Sequence, residues 1–133
     1  MFKIAPIQDN TEKNEVARLC GAKSIDGYFA YSMKDAESGM IMGFSQFEIS
    51  DEGYISHLLP ALGYDDVEAM FILGRATMNF IDMCGVHTVR AASCAADPKL
   101  LRIIGFTQSE SGEYFCDMTG MFDGKCDGDT VKL

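Results

Sequence analysis

Residues 53–85 constrain the fold more than any other part of the chain. They begin with β-branched, aromatic and leucine side chains over residues 54–62, a composition typical of a strand. A turn at residues 63–66 follows, and an apolar pattern with helical spacing then runs over residues 67–84 and ends at Gly85. Because backbone N–H groups face outward at a helix start, this order of elements can hold the phosphate of a ligand.

The preceding half of the chain predicts an antiparallel meander that leads into this stretch. Strand-forming residues occupy positions 2–7, 28–31 and 40–49, and polar turns follow at residues 34–39 and 51–53. After the long helix, a fifth strand begins over residues 87–92. A strand, a long helix and a strand in succession imply a crossover and one parallel pair in the sheet.

Two shorter helices are predicted from their end signals. Residues 9–11 offer N-cap side chains for an amphipathic helix that ends at Gly21, and Asp97 with Pro98 begins a helix that ends at Gly105. The chain changes character after this point. Residues 113–118 and 121–122 predict either two strands joined near Gly120 or one strand and a tail, and the end is polar.

The length and charge of the chain limit its class of function. A chain of 133 residues predicts one domain. It has no apolar run of about 18 residues and no signal-peptide pattern at the start, so we expect a cytoplasmic protein without a membrane span. The net charge of −9 opposes nucleic acid and anionic membrane as partners. A cationic small molecule or a basic protein is compatible with that charge.

The five cysteines predict neither a disulfide framework nor a metal site. Their number is odd and the chain has no C-x-x-C pair. We therefore expect no metal, and we expect buried reduced thiols that act as small apolar side chains.

The segment Leu-Leu-Arg-Ile-Ile-Gly-Phe at residues 100–106, with the order of elements, resembles the GNAT N-acetyltransferase superfamily. In that family a short helix ends in a Gly-Phe pair that leads into the sixth strand. The polar composition of about residues 123–133 predicts a loose tail. The resemblance implies one α/β (α+β) domain over residues 1–133. It implies a mixed, mostly antiparallel sheet of six to seven strands flanked by helices. It also implies acetyl-CoA between the fourth and fifth strands, and acetyl transfer to an amine of a small molecule or a protein.

The family holds the pyrophosphate of coenzyme A at a loop of pattern Gln/Arg-x-x-Gly-x-Gly/Ala before the long helix. Counting back from Gly85 places at this loop the residues Asp65, Asp66, Val67, Glu68, Ala69 and Met70. An acid replaces the Gln/Arg, and two larger side chains replace the small residues, which blocks close approach to the backbone. Asp65 and Glu68 also form a capping-box pattern, so we expect them to occupy the free N–H groups.

The resemblance also suggests which residues could carry the reaction. Leu101 stands where many family members have a tyrosine that protonates the leaving thiolate. His57 in the fourth strand and Glu48 in the third are the candidate general bases for the amine. Residues 23–27 are too few for the family's second helix, which commonly shapes the acceptor site. A Cys–His nucleophile pair has no supporting motif.

Two hypotheses of function remain. The first is a divergent acetyltransferase that acts on a small-molecule or protein amine. The second is a non-catalytic GNAT-like binding or protein-interaction module that has lost coenzyme A binding. Because the long helix is apolar on most sides, we also expect that it packs on a sheet and contributes to a homodimer.

Overall fold

The computed structural model describes residues 1–123, and within this range the chain forms seven strands and three helices. The strands are β1 (Phe2–Pro6), β2 (Phe29–Asp35), β3 (Ile41–Ile49), β4 (Gly53–Pro60), β5 (Thr88–Ala91), β6 (Thr107–Gln108) and β7 (Tyr114–Asp117). The helices are α1 (Asn10–Leu19), α2 (Val67–Met83) and α3 (Pro98–Ile104).

All seven strands form one mixed sheet in the order β1-β2-β3-β4-β5-β7-β6. Every neighbouring pair is antiparallel except β4 and β5, which are parallel from the Gly53–Val89 pair to the Ile55–Ala91 pair. The expected meander and the parallel pair across α2 are therefore both confirmed. The fold is α+β, with a mostly antiparallel sheet flanked by helices.

The helices cover opposite faces of the sheet. Val16 and Ala17 of α1 are buried with Ala30 and Phe44 on one face. The larger core lies on the other face, where α2 packs on the central strands and on α3. Its members include the fully buried Leu58, Leu73, Ile81, Leu101 and Ile104. Each such side chain contributes about 1.5–3 kcal/mol through burial, which explains why α2 is apolar on most sides.

An aspartate caps each helix start. Asp9 accepts a hydrogen bond from the Glu12 N–H at 3.1 Å, and Asp97 accepts one from the Lys99 N–H at 3.0 Å, as expected. The predicted capping box of Asp65 and Glu68 is wrong by one residue. Since α2 begins at Val67, the capping position falls on Asp66, whose backbone is extended and whose carboxylate accepts from the Ala69 N–H at 3.0 Å.

Two local predictions differ from the structure. β2 continues into the predicted turn as far as Asp35, because that residue pairs with Phe2 of β1. Of the two alternatives for residues 113–122, the one with a single strand agrees with the structure, since turns follow β7 and β7 pairs with the short β6 strand. Cys20 and Cys116 are buried as expected, but Cys84 and Cys94 are exposed. Cys126 and the predicted tail beyond residue 123 lie outside the described residues.

Two further properties concern residues 1–123 as a whole. No helix in this range has the length and apolar character that a membrane span requires. No group of three or more His, Cys, Asp or Glu side chains in this range could hold a metal ion.

Candidate functional site

A β-bulge at Ser56 places polar side chains of β3 and β4 on the sheet face that α1 covers. Gln46 pairs with His57 but the next residue, Phe47, pairs with Ile55, so Ser56 is an extra residue on β4. A bulge of this kind re-aims the side chains that follow it. His57 consequently shares a face with Gln46, while Leu58 faces the core beneath α2.

The side-chain amide of Gln46 contacts the ring of His57. Its Oε1 accepts from the Ile25 N–H at 2.7 Å, and its Nε2 donates to the Lys23 carbonyl at 3.1 Å. The amide nitrogen lies 3.1 Å from His57 Nδ1, and the Ser56 hydroxyl lies 2.9 Å from the same atom. With the amide N–H as the donor, Nδ1 is an acceptor and the proton of a neutral ring is on Nε2. Burial lowers the pKa of His57, which also favours the neutral ring.

Glu48 lies on the same face, two residues farther along β3. Its Oε2 accepts a hydrogen bond from the Tyr28 hydroxyl at 2.9 Å. Burial raises the pKa of Tyr54, and the nearby Glu113, Cys94 and Glu48 raise it further. Glu48 therefore contacts the Tyr28 phenol and is the cross-strand partner of Tyr54.

Lys13 of α1 holds residues 20–28, which cover one side of this face. Its ammonium donates to the carbonyls of Ile25 and Tyr28 at 2.7 and 2.8 Å. Burial lowers the pKa of Lys13, and Asp26 partly opposes that shift. Because the Lys13 ammonium donates to these backbone carbonyls, it forms no ion pair with Glu48.

An ion-pair group lies on the neighbouring strands. Arg90 of β5 contacts Glu52 at 2.8 Å and Glu113 at 3.5 Å. These hydrogen bonds and charges raise the pKa of Arg90, with Glu52 as the main cause. One arginine therefore faces two carboxylates, and Glu48 lies outside this group.

The expected pyrophosphate loop surrounds a small cavity of about 80 Å³ at the start of α2. Ligand pockets usually measure about 300–1,000 Å³. The lining includes the carboxylates of Asp65, Asp66 and Asp97 and no basic side chain. Asp66 occupies the Ala69 N–H, and Glu68 and Met70 fill the two positions at which the family has small residues. These residues do not fit a pyrophosphate. An anion there would face carboxylates, and the Ala69 N–H that could bind it already donates to Asp66.

The edge of β4 beside β5 is also occupied by the chain itself. Beyond the last parallel pair, the Ala92 N–H donates to the Ile55 carbonyl at 3.0 Å. The Leu58 N–H then donates to the Ala95 carbonyl at 2.7 Å. The next residue on this edge is Pro60, which has no N–H. The place implied for acetyl-CoA therefore offers no free backbone donor at Leu58 or Pro60.

The predicted proton donor and the Cys–His pair are not supported by the contacts of their residues. Leu101 is fully buried in the core beneath α2, where it has no proton to give. His57 contacts Gln46 and Ser56, and His87 contacts Asp82, so neither histidine bonds a thiol. Burial raises the pKa of the Cys116 thiol, which opposes its use as a nucleophile.

The structure brings Glu48 and His57 to one face, but sequence reasoning missed Tyr28, Gln46 and Tyr54. Tyr28 reaches Glu48 only because residues 20–28 fold back over the sheet, whereas Gln46 faces His57 as its cross-strand partner. A tyrosine at a strand start is ordinary, so no local pattern marked it. Strand alternation does place Gln46 and Glu48 on one face, which was the available signal.

Two solved structures resemble the chain in fold. The ribosomal-protein-S18-alanine N-acetyltransferase from Escherichia coli matches with a TM-score of 0.67 and 14% identity, over 89% of this chain and 94% of that one. A protein assigned as a streptothricin acetyltransferase from Bacillus anthracis, solved with acetyl coenzyme A, matches with a TM-score of 0.54 and 13% identity. That match covers 71% of this chain and 65% of the other.

The likeness is structural only. No protein-family model matches the chain, and no curated protein matches its sequence. The order of strands and helices nevertheless agrees with both acetyltransferases over most of the chain. The protein therefore has the fold of the GNAT acetyltransferases.

Proposed function

We propose that this GNAT-like domain recognises a cationic amine on the sheet face around Glu48. The observation that carries the proposal is the position of Glu48, which accepts from the Tyr28 hydroxyl and lies near Tyr54. A carboxylate beside two aromatic rings suits an ammonium group, through charge and through cation–π attraction. The overall charge of −9 attracts a cation to any part of the surface and favours the same class of ligand.

Within this site we assign different roles to the two candidate bases. Glu48 is the group that would hold the ammonium or accept its proton, since its carboxylate forms no ion pair within residues 1–123. His57 would act as a hydrogen-bond donor through Nε2, because Gln46 occupies Nδ1. A neutral ring in this arrangement orients a ligand and does not remove its proton.

Acetyl transfer to that amine is the reaction class that the fold likeness supports. Both similar structures are named as acetyltransferases, and one contains acetyl coenzyme A. If the chain catalyses this reaction, it must hold the donor without the usual loop, because acids line the α2 start.

The second candidate is a non-catalytic module that binds the amine alone. It is favoured by the capped Ala69 N–H, the occupied Leu58 N–H and the buried Leu101, which together remove the usual donor-binding and proton-donating groups. Amine recognition is common to both candidates, and acetyl-CoA distinguishes them.

The test is a calorimetric titration with spermidine as the amine probe, at low ionic strength. We expect saturable binding that weakens at least tenfold in Glu48→Gln. The matched control is Glu37→Gln, which removes an exposed carboxylate in the β2–β3 turn and should change affinity by less than twofold. Absence of binding, or equal losses in both variants, would contradict the proposal.

A second titration uses acetyl-CoA, followed by an assay for acetylated spermidine. Acetyl-CoA binding with turnover would establish the acetyltransferase, and turnover that survives in His57→Ala would agree with the donor role of His57. If acetyl-CoA at millimolar concentration neither binds nor raises the melting temperature, while spermidine still binds, the chain is the non-catalytic module.

A further inference from the structure

A separate aromatic cavity lies on the opposite face of the sheet, beneath the last turns of α2. Its volume is about 310 Å³, which is within the usual range for small-molecule pockets. Phe29 and Tyr31 of β2, Phe47 of β3 and Phe80 of α2 form its walls. The amine site described above uses the α1 face, so this cavity is independent of the proposed function.

The four rings pack against one another and form the aromatic side of the cavity. Phe29 and Tyr31 each stack on Phe47, with centroids 5.6 and 5.8 Å apart and interplanar angles of 28° and 26°. Phe80 stands edge-on to all three rings, at centroid distances of 5.7–5.9 Å. A planar ring in the cavity would lie against this cluster and extend its stacked and edge-on contacts, which are the favoured aromatic contacts.

The aromatic cavity is open because β1 ends early. The last β1 pair joins Pro6 to Tyr31, and the chain then turns away into α1 after one more backbone bond, from the Ile7 N–H to the Ala30 carbonyl. Phe29 therefore has no β1 partner and is 48% exposed although it is a large aromatic side chain. An exposed ring that extends an apolar cavity is stronger evidence of a binding site than an isolated apolar residue on the surface.

The lining also indicates the polarity of an occupant. It contains no charged side chain. Its polar groups are the Tyr31 hydroxyl and the Gln8 amide, and neither has a hydrogen-bond partner within residues 1–123. An uncharged molecule with one hydrogen-bonding group would satisfy these groups and the rings together.

We propose that this cavity is a binding site for an uncharged, planar aromatic molecule of one or two rings that carries one hydroxyl or amide group. The ring system lies against the exposed ring of Phe29, beside Tyr31 and Phe80. Its polar group bonds the Tyr31 hydroxyl or the Gln8 amide.

The test is a fluorescence titration of the whole chain with 2-naphthol. Because the chain has no tryptophan, the naphthol signal can be followed without indole background. We expect one saturable site, at least tenfold weaker binding in Phe29→Ala, and about threefold weaker binding in Tyr31→Phe, a conservative variant that keeps the ring. 2-Naphthalenesulfonate should bind at least tenfold more weakly, since no cation lines the cavity.

The control variant is Ile103→Ala, which removes an apolar side chain that is 56% exposed on α3, away from the cavity. It should bind 2-naphthol within twofold of the unmodified chain. Non-saturable binding, or equal affinity in Phe29→Ala, would overturn the proposal. So would a homodimer that Phe29→Ala dissociates in sedimentation while 2-naphthol fails to bind, because the cavity would then belong to an interface between copies.

Discussion

The two ends of α2 carry opposite kinds of cavity. At its start, three carboxylates line a space of about 80 Å³. The nearby backbone N–H groups of Ala69 and Leu58 already donate hydrogen bonds within the chain. Beneath its last turns, four aromatic rings line a space of about 310 Å³ without a charged side chain. The resemblance to GNAT enzymes places a cofactor at the first position, whereas the second cavity is the larger of the two.

This difference shows that a helix can keep its place in a fold while the chemistry at its ends changes. The middle of α2 is fixed by packing on the sheet and on α3, which any member of the fold must preserve. The ends depend on a few side chains, such as Asp66 at one and Phe80 at the other. A fold likeness alone therefore does not carry a ligand site from one protein to another.

The largest expected effect comes from the middle of α2, which both cavities share. A Cβ at Gly74 would lie 2.5 Å from Ile104 Cδ1 and 3.1 Å from Leu58 Cδ2. Gly74→Val should therefore lower the free energy of unfolding by about 3 kcal/mol through overpacking. Urea denaturation measures this change. The control Ile72→Val, at an exposed position two residues earlier, should cost less than about 0.5 kcal/mol.

If Gly74→Val were as stable as the unmodified chain, the close packing of α2 on α3 would be wrong. The comparison of the two ends would then lose its basis, because it assumes one rigid helix between them.

A smaller effect tests how the α2 start is closed. Asp66→Ala removes the carboxylate that accepts from the Ala69 N–H, so it should lower the free energy of unfolding by about 1 kcal/mol. Asp65→Ala is the matched control, since it removes a neighbouring carboxylate that does not cap the helix and should cost less than about 0.5 kcal/mol. Urea midpoints compare the two. If Asp65→Ala lowered the free energy of unfolding more than Asp66→Ala, the capping box of Asp65 and Glu68 would be supported instead.

Much of the fold could be predicted because its signals are local. The apolar spacing of residues 67–84 identifies α2, and Asp9 and Asp97 mark the starts of α1 and α3. The meander follows from short turns between strand-forming segments, and the parallel pair follows from the long helix between β4 and β5. The Gly-Phe pair at residues 105–106 then identifies the family of folds.

The site depends on features that no local pattern shows. Strand alternation alone cannot place His57, because the bulge at Ser56 changes which face each later residue occupies. The partners of Gln46 and Glu48 come from residues 20–28, which reach them only after α1 has packed on the sheet. The aromatic cavity likewise joins three elements, so its rings are scattered through the sequence.

The smallest expected effect concerns the polar face and its dependence on pH. Burial lowers the pKa of His57 in the folded state below the unfolded value of about 6.5. Between the two values the unfolded chain binds more protons, so stability is full above about pH 6.5 and is lost as the pH falls through the folded pKa. His57→Gln should remove the part of this acid-induced loss of stability that His57 causes. His87→Gln, at the exposed second histidine, should leave that part unchanged. Urea midpoints between about pH 7.5 and 5 measure the difference. Parallel curves for His57→Gln and the unmodified chain would show that His57 takes up a proton freely, and the Gln46 contact would then not hold Nδ1 as an acceptor.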